Sequence, residues 1–268
     1  GAPGEAPRPR LTPDDFARLP LLTKPTVRKE FPAGLVSERR DHAWLPWRRP
    51  KVFRTSGTTG FPLRFYRDPA LRADDHATRV WQYAWAGFQP GDQVTYVRRW
   101  VYVSPRLYPF WSFFSGARLL PYDLYLDRDG EGIARVLDRW QPDGLVGNPP
   151  CLTLAAHTLR AAGLSLRHPP KGIIVGGETV EMRDWRLIRE TFDSPVHVNY
   201  GANEFGIHVA QSCPDRVARG EPPYENLHIS AMRFLVEIVD DDGRPVEPGR
   251  EGRIVITDLG KRVMSFIR

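Results

Sequence analysis

An α/β fold of layered parallel sheets with helices on both faces is predicted by three observations. Helical and strand patterns alternate from Asp68 to Val175. The run Gly172-Ile173-Ile174-Val175 has the β-branched character of a strand buried on both sides. After Gly201 the texture changes to short strands separated by turns such as Asp240-Asp241-Asp242-Gly243 and Pro248-Gly249. The last of these predicts a small antiparallel β subdomain at the C-terminal end.

In chain order, residues 1–10 are mostly Gly, Ala and Pro and are set aside as a disordered tail or cloning remnant. Thr12-Pro13-Asp14-Asp15 signals a helix start, with Thr12 as N-cap, and Thr23-Lys24-Pro25 a second. A hairpin is expected from Pro50 to Tyr66, its tip a loop of small and hydroxyl residues. Asp68 to Ala86 reads as a helix closing at Gly87, and Gln93 to Arg98 as a strand. Next come an aromatic-rich helix around Leu107 to Gly116, a strand near Arg118 to Tyr122 and a helix from Glu131 to Trp140. A strand at Gly144 to Val146 and a helix from Leu152 to Ala162 precede the Gly172 strand, and Pro195 to Val198 is a further strand. Short strands at Leu227 to Ser230, Phe234 to Val239 and Arg253 to Thr257 complete the pattern. The expected division is therefore an α/β core over residues 11–206 and a β subdomain over 207–268. The chain stops on Met264 to Arg268 without a cap, so a fragment of a longer protein, lacking a mobile C-terminal domain, is expected.

The composition narrows the function classes. A 268-residue chain with 41% hydrophobic and 26% charged residues can bury a core. No run approaches the roughly 20 apolar residues of a spanning helix, and the N-terminus lacks a secretory pattern, so a cytoplasmic location is expected. Cys151 and Cys213 stand far apart without a partner motif, which fits a reducing compartment. The net charge of +6 is rich in arginine and suits phosphate or carboxylate partners. Basic residues are spread along the chain, with no stripe interleaved with stacking aromatics, and this argues against nucleic acid.

Three segments carry candidate chemistry. Thr55-Ser56-Gly57-Thr58-Thr59-Gly60-Phe61-Pro62 has the composition of a phosphate cradle, since small residues let backbone N–H groups approach phosphate and hydroxyls add donors. It lacks the Gly-Lys-Ser/Thr ending of a Walker loop, and a hairpin tip chosen for turn propensity is the alternative. Asn199-Tyr200-Gly201-Ala202-Asn203-Glu204 follows a strand, where open α/β sheets bind ligands. There Tyr200 offers a flat face for a base and Glu204 an oxygen for magnesium, or else a helix start with an acidic first turn. Gly176-Gly177-Glu178 ends a strand with a glycine pair that lets backbone pack on a flat ligand, or forms a plain turn. His208, Cys213 and His228 are a candidate zinc set, because sulfur with imidazole suits zinc; a buried cysteine with two surface histidines is the alternative.

Taken together and in this order, the three segments resemble the adenylate-forming superfamily of acyl-CoA synthetases, in particular the phenylacetate-CoA ligase group. Leu19-Pro20-Leu21-Leu22-Thr23-Lys24, Gly252-Arg253-Ile254-Val255-Ile256-Thr257-Asp258-Leu259 and Met264-Ser265-Phe266-Ile267-Arg268 are similar to further segments of that group, so the likeness runs from about Leu11 to Arg268. Asn203 departs from it, standing where the group has Thr or Ser.

The resemblance implies an AMP-forming acid-CoA ligase that uses ATP, Mg2+ and coenzyme A. Passage of the acyl group to an amine, hydroxyl or carrier protein is the alternative, and a non-catalytic nucleotide-binding remnant a third reading. It places ATP phosphates on Thr55 to Gly60, with Thr58 and Thr59 catalytic, the adenine beside Gly176, Gly177 and Glu178 and on Tyr200, and magnesium on Glu204. Asn199, Gly201, Ala202 and Asn203 complete the nucleotide contacts, and some relatives hold zinc near His208. The acyl pocket is expected to draw on Trp100 to Phe114 and Gly147-Asn148-Pro149-Pro150. A small-molecule carboxylic acid is the expected partner, a homodimer is left open, and neither nucleic acid nor membrane is expected.

Overall fold

The computed structural model describes residues 12–36, 51–55, 62–67, 72–99, 116–205, 208–225, 227–261 and 263–264. The chain divides into two compact units, residues 74–229 and residues 1–73 with 230–268.

The first unit is built on a seven-stranded sheet. Its strands are β3 (Val94–Val97), β4 (Arg118–Leu119), β5 (Gly144–Gly147), β6 (Gly172–Gly176), β7 (Val196–Gly201), β8 (His208–Gln211) and β9 (His228–Ile229), in spatial order β4-β3-β5-β6-β7-β8-β9. β4 through β7 run parallel, while β8 and β9 add antiparallel at one edge. The helices of the unit are α3 (Arg72–Trp85), which begins at the boundary, α4 (Tyr122–Leu126), α5 (Gly130–Trp140), α6 (Pro149–Ala161), α7 (Met182–Phe192) and α8 (Pro214–Ala218).

Side chains alternate across a strand, so each strand feeds two faces. Leu145, Ile173, Val175, Val196 and Val198 meet Ile133 and Leu137 of α5, Leu152, Ala155 and Leu159 of α6, and Trp185, Ile188 and Phe192 of α7 in one apolar core. On the other face Val94, Val146 and Ile174 pack with Ala86 and Phe88, just after α3, and with the α3 residue Tyr83. Helices thus cover both faces, as the alternating pattern predicts. Glycine at position 144 is required by this packing, because a Cβ there would lie 2.3 Å from the Phe88 ring. At the starting ends of the strands Lys171 Nζ lies 2.8 Å from both Asp92 and Asp143, and an Asp143 carboxylate oxygen accepts the Gln93 N–H at 2.8 Å. The hydrogen bond from Lys171 holds the Asp143 carboxyl below the usual range.

The second unit holds α1 (Pro13–Ala17), α2 (Lys24–Glu30), the hairpin β1 (Lys51–Arg54) with β2 (Arg64–Arg67), and the hairpin β10 (Phe234–Val239) with β11 (Arg253–Asp258). Thr12 and Thr23 cap their helices as expected, Thr12 in a reciprocal capping box with Asp15. Arg233 and Asp258 form a buried two-pronged ion pair, with Nε to Oδ1 at 3.0 Å and Nη2 to Oδ2 at 3.1 Å.

Three expectations differ from what is observed. The division falls at 73/74 and 229/230 and not at 206/207, because β8 and β9 continue the hydrogen-bond ladder of β7 and so belong to the large sheet. The segment near Arg118 to Tyr122 is strand only at Arg118–Leu119; Pro121 cannot donate to a ladder and instead precedes α4. α6 starts at Pro149, three residues earlier than the apolar periodicity suggests, since proline suits a first helical turn. The aromatic-rich helix around Leu107 to Gly116 lies outside the described residues.

Candidate functional site

The parallel strands β5, β6 and β7 end side by side, with Gly147 opposite Val175 and Gly176 opposite Asn199. Ligands of open α/β sheets bind beyond these carboxyl ends. Gly177 follows at φ +91 with open space where a Cβ would stand, so its backbone is presented bare. Glu178 is exposed, and Asn148 Nδ2 makes a long 3.5 Å contact to its Oε1. At the end of β7 the register shifts between Tyr200 and Gly201, a bulge that re-aims the side chains there. Tyr200 is 40% exposed although the residues before it in β7 are buried, and burial of the rest of the side chain raises its phenol pKa. A turn follows, closed by the Phe205 N–H to the Ala202 carbonyl at 3.1 Å, with Ala202 and Asn203 exposed and Glu204 half-buried. Gly176, Gly177, Glu178, Asn199, Tyr200, Gly201, Ala202, Asn203 and Glu204 therefore gather at the C-terminal ends of two neighbouring strands.

Thr55 lies in the other unit, and its hydroxyl is engaged in closing the β1–β2 hairpin: Oγ1 accepts the Leu63 N–H at 2.9 Å. Ser56, Gly57, Thr58, Thr59 and Gly60 lie outside the described residues, as do Trp100 to Phe114. The zinc set is not assembled. His208 opens β8 opposite Gly201, whereas His228 pairs with Gln211 at the far end of that short strand, about 10 Å along at the ~3.3 Å rise per strand residue. The His228 ring instead packs edge-on to Trp85 at 5.0 Å, Cys213 caps α8, and no group of three or more His, Cys, Asp or Glu suited to a metal occurs among the described residues.

Sequence reasoning passed over the buried polar residues behind this site. On the α3 face lie His197, Asn199, Gln211 and Gln82, each 4% exposed or less. Gln82 Nε2 donates to the His208 carbonyl at 2.9 Å, and Gln211 Nε2 donates to the Gln82 carbonyl at 2.9 Å. Burial pushes the pKa values of His197 and His208 down to about 4, with Arg79 and Arg98 adding repulsion at His208. The available signal was the alternation Val196-His197-Val198-Asn199, two polar residues on one face of a strand otherwise buried.

The profile of the AMP-binding enzyme family matches residues 52–265. The phenylacetate-coenzyme A ligase of Thermus thermophilus is 24% identical over 273 aligned residues, covering 95% of this chain and 55% of that protein. An open conformation of 2-hydroxyisobutyryl-CoA ligase, solved with its acyl-adenylate and CoA, superposes with a TM-score of 0.68 at 20% identity, covering 95% of this chain and 58% of that one. The amide bond synthetase McbA of Marinactinospora thermotolerans superposes at 0.54 and 18% identity, covering 81% and 42%. The chain thus spans little more than half the length of the ligases it matches. No helix among the described residues is long and apolar enough to cross a membrane. From its first hairpin strand to the residues beyond β11, the chain belongs to the AMP-binding enzyme family, within the adenylate-forming superfamily of acyl-CoA ligases.

Proposed function

We propose that this chain carries the nucleotide-binding core of an ATP-dependent acid-CoA ligase, which joins a carboxylic acid to AMP and then passes the acyl group to coenzyme A. The observation that carries the reading is the bare Gly177 backbone, just past the end of β6, at a strand end adjacent to that of the partly exposed Tyr200, an arrangement suited to a flat purine. In it Tyr200 stacks on the adenine and Gly176 to Glu178 flank it. Family membership and the relatives' names support the CoA step.

Glu204 fits magnesium on the chemistry of the donor set. A magnesium ion accompanying nucleotide phosphates would need only one or two protein carboxylates, so Glu204, the single acid in the turn after β7, would be sufficient to hold it. Bound there, the cation would offset charge on the phosphates. The chain's own contribution is positioning: the strand ends fix the nucleotide base, and the hydroxyl-rich segment from Thr55 to Gly60 supplies donors to phosphate oxygens, Thr58 and Thr59 among them. The acid's carboxylate then attacks the α-phosphate in line and pyrophosphate leaves, so no side-chain nucleophile is needed.

Acid-dependent ATP–pyrophosphate exchange across a carboxylate panel tests the reading. At least one acid is expected to support exchange, with activity falling at least about tenfold in Glu204→Gln, whose lost charge removes the metal contact. Full activity in that variant would remove the metal role, and exchange with no acid would remove adenylation.

A further inference from the structure

Behind the strand ends, on the α3 face of the sheet, is a buried polar patch whose hydrogen-bonding needs are unmet among the described residues. Gly176, Asn199 and Gln211 lie in one row across β6, β7 and β8. A Cβ on Gly176 would meet the Asn199 carbonyl oxygen at 3.0 Å, the Asn199 Cβ at 3.2 Å and His208 Cε1 at 3.4 Å, so Asn199 and His208 close in on that glycine and only the absence of its side chain lets them do so. Gln82 and Gln211 come in over the same face, and their amide orientation is fixed by chemistry: each Nε2 points at a backbone carbonyl, which can only accept. Their Oε1 atoms are thereby left as acceptors, buried and without a partner among the described residues, and both polar atoms of the Asn199 side chain are likewise buried without one.

Three buried acceptors concentrated at the end of a sheet are costly to leave unpaired, because each has given up water. They call for a donor. The donor class is narrowed by charge. Burial holds His208 in its neutral form, with repulsion from Arg79 and Arg98 added to it, and Arg98 lies over the Tyr96 ring at 4.4 Å. An ammonium group would enter against this positive field, whereas a neutral hydroxyl donates its one hydrogen to a glutamine oxygen and accepts from Asn199 Nδ2 without opposing it.

We infer that the acid taken by this enzyme carries a hydroxyl group on its acyl part, received by Asn199, Gln211 and Gln82 on the α3 face beside Gly176. The inference rests on the adenylation reading above. It adds a substrate class: hydroxylated carboxylic acids in preference to their plain hydrocarbon counterparts. Sites that hydrogen-bond a substrate hydroxyl reject the analogue lacking it, since their own polar groups are then left unpaired.

The test uses matched pairs of acids, each hydrocarbon acid with its hydroxylated and its ammonium-bearing counterparts, in pyrophosphate exchange by the full chain. The hydroxylated member is expected to be preferred at least about tenfold in kcat/KM. In Asn199→Leu the preference is expected to fall to within about threefold of unity, with the hydrocarbon acid gaining. Asn199→Ala serves in the same assay should the leucine variant not fold. Equal use of hydrocarbon and hydroxylated acids by the unaltered enzyme overturns the inference, meaning that water alone fills the patch; so does a preference for the ammonium acids, or a hydroxyl preference unchanged in both variants. If no acid supports exchange, calorimetric titration of the same pairs decides. Hydroxyl-selective binding that Asn199→Leu abolishes upholds the pocket while the adenylation reading falls. Unselective binding, or none, overturns both.

Discussion

The two faces of the large sheet are built from the same strands, yet they differ in kind. The face covered by α5, α6 and α7 is apolar along its whole length, from Ile173 and Leu145 to Val175 and Val198. The face under α3 is apolar only toward the strand starts, where Ile174, Val146 and Phe88 meet. Toward β7, β8 and the strand ends it turns polar: His197 stands beside Ile174 in one row, and Asn199 and Gln211 follow in the next, with Gln211 bonded to the carbonyl of Gln82, all four buried. Uniform burial of hydrocarbon stabilises a fold; buried amides with unmet hydrogen bonds cost stability and persist where a ligand uses them. The difference separates the part of the sheet that holds the fold from the part that serves recognition.

The largest effect is expected on the apolar face. Leu152→Ala empties a position that is fully buried in that core, and it should lower unfolding stability by about 2–5 kcal/mol in denaturant titration. A loss under about 1 kcal/mol would show that this face is not the principal core.

A smaller effect, of opposite character, belongs to the polar half of the α3 face. His197 is held neutral by burial, with a pKa of about 4 against 6.5 unfolded. The unfolded chain binds the proton more readily, so the contribution of the neutral ring is fully present above about pH 6.5 and is lost as pH falls toward 4. One such group accounts for up to about 3 kcal/mol over that window. His208 titrates in the same direction. His197→Leu should therefore flatten the stability–pH profile between pH 6.5 and 4 by about the share of one histidine; an unchanged slope would show that His197 is not held neutral.

The smallest change in stability is expected where the two faces give way to solvent. Tyr200→Ala should lower unfolding stability by only about 1 kcal/mol, since the residue is 40% exposed. It should nevertheless weaken ATP binding by about 1–3 kcal/mol, the usual worth of an aromatic face under a base. Calorimetry giving equal ATP affinity would move the adenine elsewhere.

What the sequence made legible follows the range over which each signal acts. The capping of α1 and α2, the β-branched strand β6 and the strand pairs of the two hairpins are local, and all were readable. The strand ends that carry Gly176 and Tyr200 were found because motif order survives in a linear text. The membership of β8 and β9 was not readable, because an edge strand of a parallel sheet and a strand of a small antiparallel sheet have the same local pattern. Gln82 and Gln211 were missed for a related reason. They lie 129 residues apart, and their shared role depends on which face each presents once the long-range register is set.

Lys171, with one carboxylate from the start of β3 and one from the start of β5, fastens three strands lengthwise at the ends opposite Gly176 and Tyr200. A slip of one residue would exchange every inward side chain for an outward one. Because that slip is opposed at the base, a substitution at Asn199 or Gln211 alters the chemistry at one point without shifting the register of the strand. The sheet thereby becomes a fixed rack with interchangeable fittings, and a new substrate preference lies within reach of single changes at its open end.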